Sequence, residues 1–479
     1  MTTLPLDLAA NATPEALHGF LAQCREVARR SGRTQLVSIS LQVDALDPLA
    51  VLESIFEPDE PHFYAERPDL ETAVAGAEVA LEFEARGPER FAAVQEWIDR
   101  VLGDTLAVGD VEAPFGGPHF FTGFTFADEV EEGEPFPPAR VFVPRWQVAR
   151  AGAVTTAVAN LLVAPEGDLV SLAGRVWKAH AKFRGFEYVK GEESGALSSY
   201  KTYRIHETYR THEAGDYRAA VAEALRRIAA GEFTKIVLAR ARDLTADGPL
   251  HPLRLLNGLR QRFPSCYAFS LANGRGQSFI GASPERLVRV SKGVLETEAL
   301  AGSIRRGGGA SEDAALAAEL CHSEKDLREQ QLVVEAITSR LVQLGLKPEF
   351  STRPGVRRLA NVQHLHTPIC ANMPSEVRLL DAVAALHPTP AVGGAPRATA
   401  VARIRGLEGF PRGLYAGAIG WINARGGGEF LVGLRSALVD GPRARLYAGA
   451  GIVAGSRPEN EFAETELKFK AMQEALLAP

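Results

Sequence analysis

Two residues of this 479-residue sequence are candidates for acid–base chemistry, Lys235 and Glu285. Lys235 begins the run KIVLAR, in which both alternating faces carry apolar neighbours, as is typical of a strand buried on both sides. Desolvation lowers the pKa of a lysine, so a lysine there can act as a general base. Glu285 follows Pro284 at the mouth of another strand, a suitable place for a general acid. An ion-paired lysine and a solvated loop glutamate are the commoner alternatives.

Two further segments carry acidic residues at helical spacing. Asp326 and Glu329 are three residues apart in SEKDLREQQ, and Glu461 and Glu464 are three residues apart in ENEFAETELK. Each pair therefore lies on one face of its helix. Two such helices facing each other can hold a hard cation through oxygen ligands, with waters completing the shell. The alternative is ordinary ion pairing on exposed helix faces, such as Glu464 with Lys468.

Arg435 and several glycine-rich turns are candidates for binding an anion. Arg435 lies in the predicted strand EFLVGLRSALV beside small residues, which leaves room for a ligand carboxylate that arginine can bind bidentately. A buried salt bridge to a structural acid explains this arginine equally well. Glycines cluster at 302–309, 424–429 and 447–453, and backbone N–H groups in such turns can bind anionic oxygens. His364 and His387 are isolated, and a structural histidine is the default interpretation of each.

The elements that must position these residues mix antiparallel-looking strands with segregated helices, which predicts an α+β fold. An acidic, proline-rich loop is expected at 129–138, and the stretch 151–164 fits either a helix or a buried strand. Helices are predicted at 11–31, 213–230, 312–344 and 459–477, and strands at 35–44, 141–150, 233–241, 266–272, 277–282, 286–290, 414–424, 429–439 and 443–448.

Composition and charge exclude several classes of protein. A net charge of −6 gives no basic face for nucleic acid, so a small anionic substrate would depend on local positive charge. The four cysteines show no metal or redox spacing. The N-terminus resembles no signal peptide, and no apolar run is long enough to span a bilayer. We therefore expect a cytoplasmic protein with no nucleic-acid or membrane partner.

Eight blocks of the sequence, spread over residues 213–475, resemble the chorismate-utilising enzymes in their order and spacing. The resemblance implies one large unit of two packed, mainly antiparallel β-sheets with helices outside. Residues 1–210 would be its variable N-terminal half and residues 211–479 its chorismate-binding region. The blocks are KIVLAR (235–240), GASPERL (281–287), ALAGSIRR (299–306), SEKDLRE (323–329), HPTPAVGG (387–394), GLRSA (433–437), AGAGIV (448–453) and ENEFAETELK (459–468).

The resemblance also implies a role for each candidate residue. Lys235 would activate water for attack at ring carbon C2 of chorismate, and Glu285 would protonate the departing C4 hydroxyl. Glu329 and Glu464 would bind Mg²⁺, with Asp326 and Glu461 contributing directly or through waters, and the ion would bind the ring carboxylate. Chorismate itself would contact Gly302, Ser303, His364, Ala391, Tyr415, Arg435, Gly449 and Lys468.

Three positions separate the members of this family. Ala301 stands where aminodeoxychorismate synthases carry a lysine, and HPTPAVGGAPR differs from the PAGTPSGAPK of anthranilate synthases. Salicylate synthases tend to have threonine at the position of Ala391. The sequence HPTPAVGG is similar to that of isochorismate synthases, which are isomerases. Salicylate synthase and anthranilate synthase component I are the alternatives.

A catalytically silent subunit is a further alternative, but the presence of both Lys235 and Glu285 argues against it. We expect a monomer or a weak homodimer. The isochorismate that such an enzyme forms would serve equally as a precursor in menaquinone, siderophore or salicylate biosynthesis.

Overall fold

The computed structural model describes residues 1–4, 14–174, 209–359 and 362–477. Residues 11–13 of the first predicted helix and part of the predicted 1–210 half lie outside these ranges. The α-helices are α1 (Pro14–Ser31), α2 (Pro48–Ser54), α3 (Arg90–Gly103), α4 (Tyr217–Ala229), α5 (Pro252–Arg262), α6 (Ala310–His322), α7 (Glu324–Gln343), α8 (Leu379–Leu386), α9 (Arg397–Glu408) and α10 (Pro458–Leu477), and a 3-10 turn spans Pro68–Leu70.

The strands fall into two stretches of chain. Those of the first stretch are β1 (Thr2–Leu4), β2 (Gln35–Val43), β3 (His62–Arg67), β4 (Thr72–Ala85), β5 (Thr105–Gly109), β6 (His119–Phe124), β7 (Ala139–Ala151) and β8 (Val154–Val163). Those of the second are β9 (Tyr209–Ala214), β10 (Lys235–Ala246), β11 (Tyr267–Ala272), β12 (Gln277–Ser283), β13 (Arg286–Ser291), β14 (Val294–Arg305), β15 (Glu349–Phe350), β16 (Gly355–Arg358), β17 (Val362–Asn372), β18 (Gly394–Ala395), β19 (Ala418–Asn423), β20 (Gly428–Val432), β21 (Ser436–Asp440) and β22 (Arg443–Val453).

Hydrogen bonds join these strands into two arms that share the long strand β7. One arm runs through β8, β2 and β5 on one side of β7, and through β4, β3, β11, β12, β21, β22 and β10 on the other. The second arm leaves β7 through β6 and continues through β19, β20, β13, β14 and β17. Among the strands that the structure describes, β5 alone pairs in parallel, with β1 and β2. The predicted α+β fold with mainly antiparallel sheets is confirmed.

Two stretches of chain pass side by side from one arm to the other. The first runs from β12 to β13 through Pro284 and Glu285, and the second from β20 to β21 through residues 433–435. Their backbones stay hydrogen-bonded at the crossing, because Val432 N–H donates to Glu285 O at 3.1 Å and Ala282 N–H donates to Arg435 O at 3.0 Å. Both Glu285 and Arg435 therefore sit where a strand is interrupted.

The core comprises a large apolar cluster that extends through both arms and two smaller clusters. Phenylalanines dominate the large cluster; Phe63 and Phe121 stack at 4.4 Å between ring centroids, and Phe91 and Phe124 at 4.3 Å. Burial of such aromatic surface is the main stabilising contribution in a domain of this kind. None of the described helices is long and apolar enough to cross a membrane.

Most predicted elements are found within a few residues of their predicted bounds, and 151–164 contains a strand. Two predictions are wrong in the same way. The single helix predicted at 312–344 is two helices, because Ser323 ends α6 and caps α7. The single strand predicted at 429–439 is β20 and β21, because the chain crosses from one arm to the other at residues 433–435, where Arg435 has a left-handed φ of 47°.

Candidate active site

Every residue nominated from the sequence lines one cavity of about 260 Å³. Strands β10, β14 and β22 and the β12–β13 and β20–β21 crossings form its wall, and helices α7 and α10 form its rim. The nominated residues that line it are Lys235, Glu285, Gly302, Ser303, Asp326, Glu329, His364, Ala391, Tyr415, Arg435, Gly449, Glu461, Glu464 and Lys468. His387 is not among the lining residues; it is buried and packs edge-on against Phe91 and Phe126.

Lys235 is the first residue of β10 and is 5% exposed, as the apolar pattern around it predicted. Its neighbour across the ladder is Val453 of β22. Gly451 lies next to the lysine, and a Cβ there would come within 3.1 Å of Lys235 Cε. The ammonium group donates to Glu329 Oε1 at 2.7 Å. The backbone ladder thus fixes the base of the side chain, and a rim carboxylate holds its tip.

Glu285 is 8% exposed and faces the same cavity, so the alternative of a solvated loop glutamate is wrong. Burial raises the pKa of Glu285 to about 7, the nearby Glu298 carboxylate adds to the rise, and Thr389 and Lys235 oppose it. A carboxyl group with such a pKa is about half protonated at neutral pH, and the protonated fraction can donate its proton.

Arg435 has no carboxylate partner among the described residues. Its guanidinium makes one weak contact, Nη1 to Cys266 Sγ at 3.6 Å, and burial lowers its pKa. The expected alternative, a buried salt bridge to a structural acid, is therefore wrong for the described part of the chain. Leaving a largely enclosed guanidinium without a counter-charge is costly unless a ligand supplies one. The arrangement suits an anionic group bound in the cavity.

His364 and Ser303 form a polar pair beside Arg435. His364 Nδ1 lies 2.8 Å from Ser303 Oγ, while Nε2 has no hydrogen-bond partner within the described residues. Burial and the charges of Arg435 and Lys468 lower the pKa of His364 to about 3, so the ring is neutral. The free Nε2 is available to a ligand. Here the default interpretation of a satisfied structural histidine does not hold.

Gly302 forms a bulge in β14, with a left-handed φ of 68°, opposite the helix that carries Asp326. A Cβ at this position would lie 3.0 Å from Asp326 Cβ, closer than side chains normally approach. Glycine therefore serves two needs here, the bulge and the close approach of the helix. The adjacent Ser303 is turned toward the cavity as a result.

The rim residues lie on two helices. Ser323 caps α7 by accepting from Asp326 N–H and also donates to its carboxylate, which fixes Asp326 in the first turn. On α10, Lys468 Nζ donates to Glu464 Oε1 at 2.8 Å and to Gly449 O at 2.7 Å. This Glu464–Lys468 pair is the ion pair that the spacing allowed.

The four rim acids provide hard oxygen donors of the kind that magnesium prefers. Within the described residues, no three acidic, histidine or cysteine side chains are close enough to form a ready-made metal cage. Magnesium does not require one, because it commonly takes one or two carboxylates and completes its shell with water and substrate oxygens. Burial and the charge of Glu464 raise the pKa of Glu461, against a hydrogen bond to Ser456. A cation would relieve that repulsion, so the donor set fits the ion.

Three polar or charged residues that line the cavity were missed by sequence reasoning: Arg412, Tyr447 and Lys325. Arg412 pairs with the fully buried Glu408 and donates to Val237 O at 2.8 Å. Tyr447 stacks on Tyr415 at 5.1 Å between ring centroids. Lys325 adjoins Asp326 in SEKDLRE and could have been found there. The contact of Arg412 with Val237 and the contact of Tyr447 with Tyr415 join residues distant in the chain, so these two residues had no local signal.

A model of the chorismate-binding enzyme family matches residues 20–477 of the chain. The salicylate biosynthesis isochorismate synthase of Pseudomonas aeruginosa is 38% identical over 470 residues, which cover 97% of this chain and 94% of that relative. The isochorismate synthase MenF of Bacillus subtilis is 31% identical, with 96% and 97% covered. The solved structure of MenF, the menaquinone-specific isochorismate synthase from Escherichia coli, superimposes with a TM-score of 0.75 at 28% identity, covering 95% of this chain and 99% of that one.

Proposed function

The chain belongs to the chorismate-binding enzymes, and from this premise we propose that it is an isochorismate synthase, an isomerase that converts chorismate into isochorismate. The observation that carries the proposal is that a buried lysine, Lys235, and a buried glutamate, Glu285, line the same cavity. The reaction adds water at ring carbon C2 and removes the C4 hydroxyl as water, so it needs one group to take a proton and another to give one. Two relatives that match this chain over nearly their whole length are named isochorismate synthases, and they support this choice.

Glu285 is proposed as the general acid. Burial and the charge of Glu298 raise the pKa of Glu285 to about 7, so about half of the carboxyl groups are protonated at neutral pH, and this form protonates the C4 oxygen as the bond to the ring breaks. The proposed base is Lys235, which must give up its own proton before its amine can take one from the water that attacks C2. Because Lys235 Nζ donates a hydrogen bond to Glu329, that carboxylate also fixes the position of the side-chain nitrogen.

The remaining residues hold the substrate. Arg435, which has no acid partner in the described part of the chain, binds a carboxylate together with Tyr415 and the Gly449 backbone. Ser303, His364 and Lys468 lie around the other carboxylate and the ring. Stacking of Tyr447 on Tyr415 fixes the orientation of the phenol.

Glu329 and Glu464, with Asp326 and Glu461, are proposed to hold Mg²⁺. When bound, the ion would neutralise and orient the ring carboxylate of chorismate. The carboxylates themselves lie on two helices across the mouth of the cavity from the wall. Glu329 also contacts Lys235, and it therefore connects the proposed metal site to the proposed base.

The test is to incubate the purified protein with chorismate and Mg²⁺, with and without EDTA, and to identify the products by HPLC. We expect isochorismate alone, and only when Mg²⁺ is available. Salicylate together with pyruvate would assign the protein to the lyase branch, and anthranilate formed with added ammonium would assign it to the anthranilate branch. No conversion under any of these conditions would contradict the proposal and favour a silent subunit.

A further inference from the structure

Glu298 is a buried acid on β14 that does not line the cavity, and it lies directly behind the turn that carries Glu285. It is 7% exposed. Its Oε1 accepts from the backbone N–H of Arg286 at 3.2 Å and from Arg357 Nη1 at 2.8 Å. Its Oε2 lies 2.8 Å from His366 Nε2. A buried carboxylate with this many specific partners is held in one place.

The backbone contact matters because Arg286 directly follows Glu285. The pairing of β13 with β20 shifts register between Arg286 and Val288, so the ladder is irregular at the turn. The turn is instead held by Ser283 Oγ, which accepts from Glu285 N–H at 3.3 Å, and by Val432 N–H, which donates to Glu285 O. Of these anchors, Glu298 is the charged one, and its hydrogen bond to the Arg286 amide is charge-assisted.

The charge of Glu298 is also fixed. Burial opposes ionisation, but the hydrogen bond with His366 and the charges of Arg357 and Arg286 together lower the pKa of Glu298 to about 2. At any pH where an enzyme of this kind works, Glu298 is therefore a carboxylate. A fixed negative charge disfavours a second negative charge nearby.

The charged groups around Glu285 act in opposite directions. Glu298 raises the pKa of Glu285 and Lys235 lowers it, while Tyr415 faces it as a neutral phenol. Arg286, Arg357 and His366 all face Glu298, yet the charge of Glu298 still outweighs them at the position of Glu285.

We propose that Glu298 is a positioning residue for the acid of the reaction: it anchors the Glu285 turn through the Arg286 amide and keeps Glu285 in its proton-donating form. The inference rests on the proposed function, in which protonated Glu285 is the general acid. Glu298 does not touch the cavity, and its effect on substrate is exerted through Glu285.

The test is the pH dependence of kcat/KM for chorismate isomerisation in Glu298→Gln. Glutamine keeps an oxygen that can accept from the Arg286 amide but has no charge, so Glu285 should lose its proton at lower pH. We expect the descending limb of the profile to move to lower pH. For a shift of about one pKa unit, the rate at pH 8 should fall about tenfold below that of the wild type, since well above the pKa the protonated fraction changes tenfold per unit.

The matched control is Glu296→Gln, two residues earlier on the same strand. Glu296 also pairs with Arg286, but with its side chain, Nη1 to Oε2 at 3.0 Å, and its own side chain is 41% exposed. This variant should leave the descending limb where the wild type has it. A limb that moves equally in both variants would contradict the inference, as would a limb that moves in neither.

A second variant tests the same inference if Glu298→Gln does not fold. Arg357→Gln removes a cation that partly neutralises Glu298, at a side chain 16% exposed. The limb should then move to higher pH, opposite to the shift in Glu298→Gln, and an unmoved limb would overturn the inference. Wild-type protein that forms no isochorismate would refute the proposed function instead, so the two failures are distinguishable.

Discussion

The two sides of the cavity are built differently. Lys235 and Glu285 on the strand wall are buried, and hydrogen-bonded backbone on neighbouring strands fixes their positions. The helix rim is more exposed: the side chains of Glu329, Glu464 and Lys468 are 28%, 46% and 43% exposed and are engaged in ion pairs. The strand wall comprises Lys235, Glu285 and Arg435. The helix rim comprises Asp326, Glu329, Glu461, Glu464 and Lys468.

This difference suits two different tasks. Proton transfer needs groups whose charge states are set by a low-dielectric environment and whose positions do not vary, which burial on strands provides. A hydrated cation needs accessible oxygens that can adjust around it, which half-exposed helix residues provide. Substitutions in the wall should therefore have larger and more specific effects than substitutions in the rim.

The largest effects are expected from Lys235→Ala and Glu285→Gln. Each removes one proton-transfer group, which typically contributes ~10²- to 10⁴-fold to a rate, and each should reduce kcat below about 1% of wild type with the fold intact. Steady-state isochorismate formation and circular dichroism would measure the two properties. The matched controls are Lys292→Ala, at an exposed residue in the turn between β13 and β14, and Glu296→Gln. Near wild-type turnover in either wall variant would remove that residue from the mechanism.

Arg435→Gln should act on binding more than on chemistry. Loss of a charge-assisted contact to a carboxylate is worth about 1.5–3 kcal/mol, so KM for chorismate should rise about 10- to 100-fold while kcat changes less. Stability should not fall, because the guanidinium has no acid partner in the described residues to leave behind. Thermal unfolding alongside kinetics would separate these effects. An unchanged KM with a lower melting temperature would mean that Arg435 is structural.

The charge state of Glu285 predicts a pH dependence. Its raised pKa of about 7 means that the proton-donating form is present below that pH and is lost as the pH rises through it. The descending limb of kcat/KM should therefore lie near pH 7 and fall about tenfold per pH unit above it. Rates at constant ionic strength from pH 5.5 to 9 would measure this. A rate that keeps rising through pH 9 would contradict the assignment of Glu285 as the acid.

The sequence predicted the wall and the rim to different extents. Lys235 was found because its strand has apolar neighbours on both faces, a local signal that correctly predicted its burial. The rim acids were found from their spacing on helices, which is equally local. By contrast, the sequence could not predict that Arg435 has no acid partner among the described residues, because this depends on residues that are distant in the chain.

The two missed breaks have different causes. GLRSA has the alternation of a strand, and only the crossing between the two arms forces Arg435 into a left-handed conformation. The Ser323 break had a local signal, since a serine followed by acids is a typical N-cap, but the apolar periodicity on both sides favoured a single helix.

Glu298 had no local signal at all, because its partners come from β13, β16 and β17.

Glu464→Gln tests the rim. Removing one of several carboxylates should weaken Mg²⁺ binding about tenfold and raise the Mg²⁺ concentration for half-maximal rate accordingly, while kcat at saturating Mg²⁺ falls less. Calorimetric titration with Mg²⁺ gives a measure that does not depend on activity. Glu474→Gln, at an acid near the end of α10 that is 54% exposed, is the control. Identical Mg²⁺ affinity in the two variants would refute the metal assignment.

The smallest effect is expected from Ser323→Ala, because Ser323 is not one of the cavity-lining residues. Ser323 accepts from Asp326 N–H and donates to its carboxylate, so alanine removes the cap of α7 and frees Asp326. Loss of an N-cap costs about 1 kcal/mol, whereas glycine at the same position costs a few tenths. Ser323→Ala should lower the free energy of unfolding by that amount and weaken Mg²⁺ binding only slightly. Because Lys235 and Glu285 are held by strands, kcat should stay within about twofold; a large loss of kcat would show that the wall depends on the rim, and would refute the separation of the two regions.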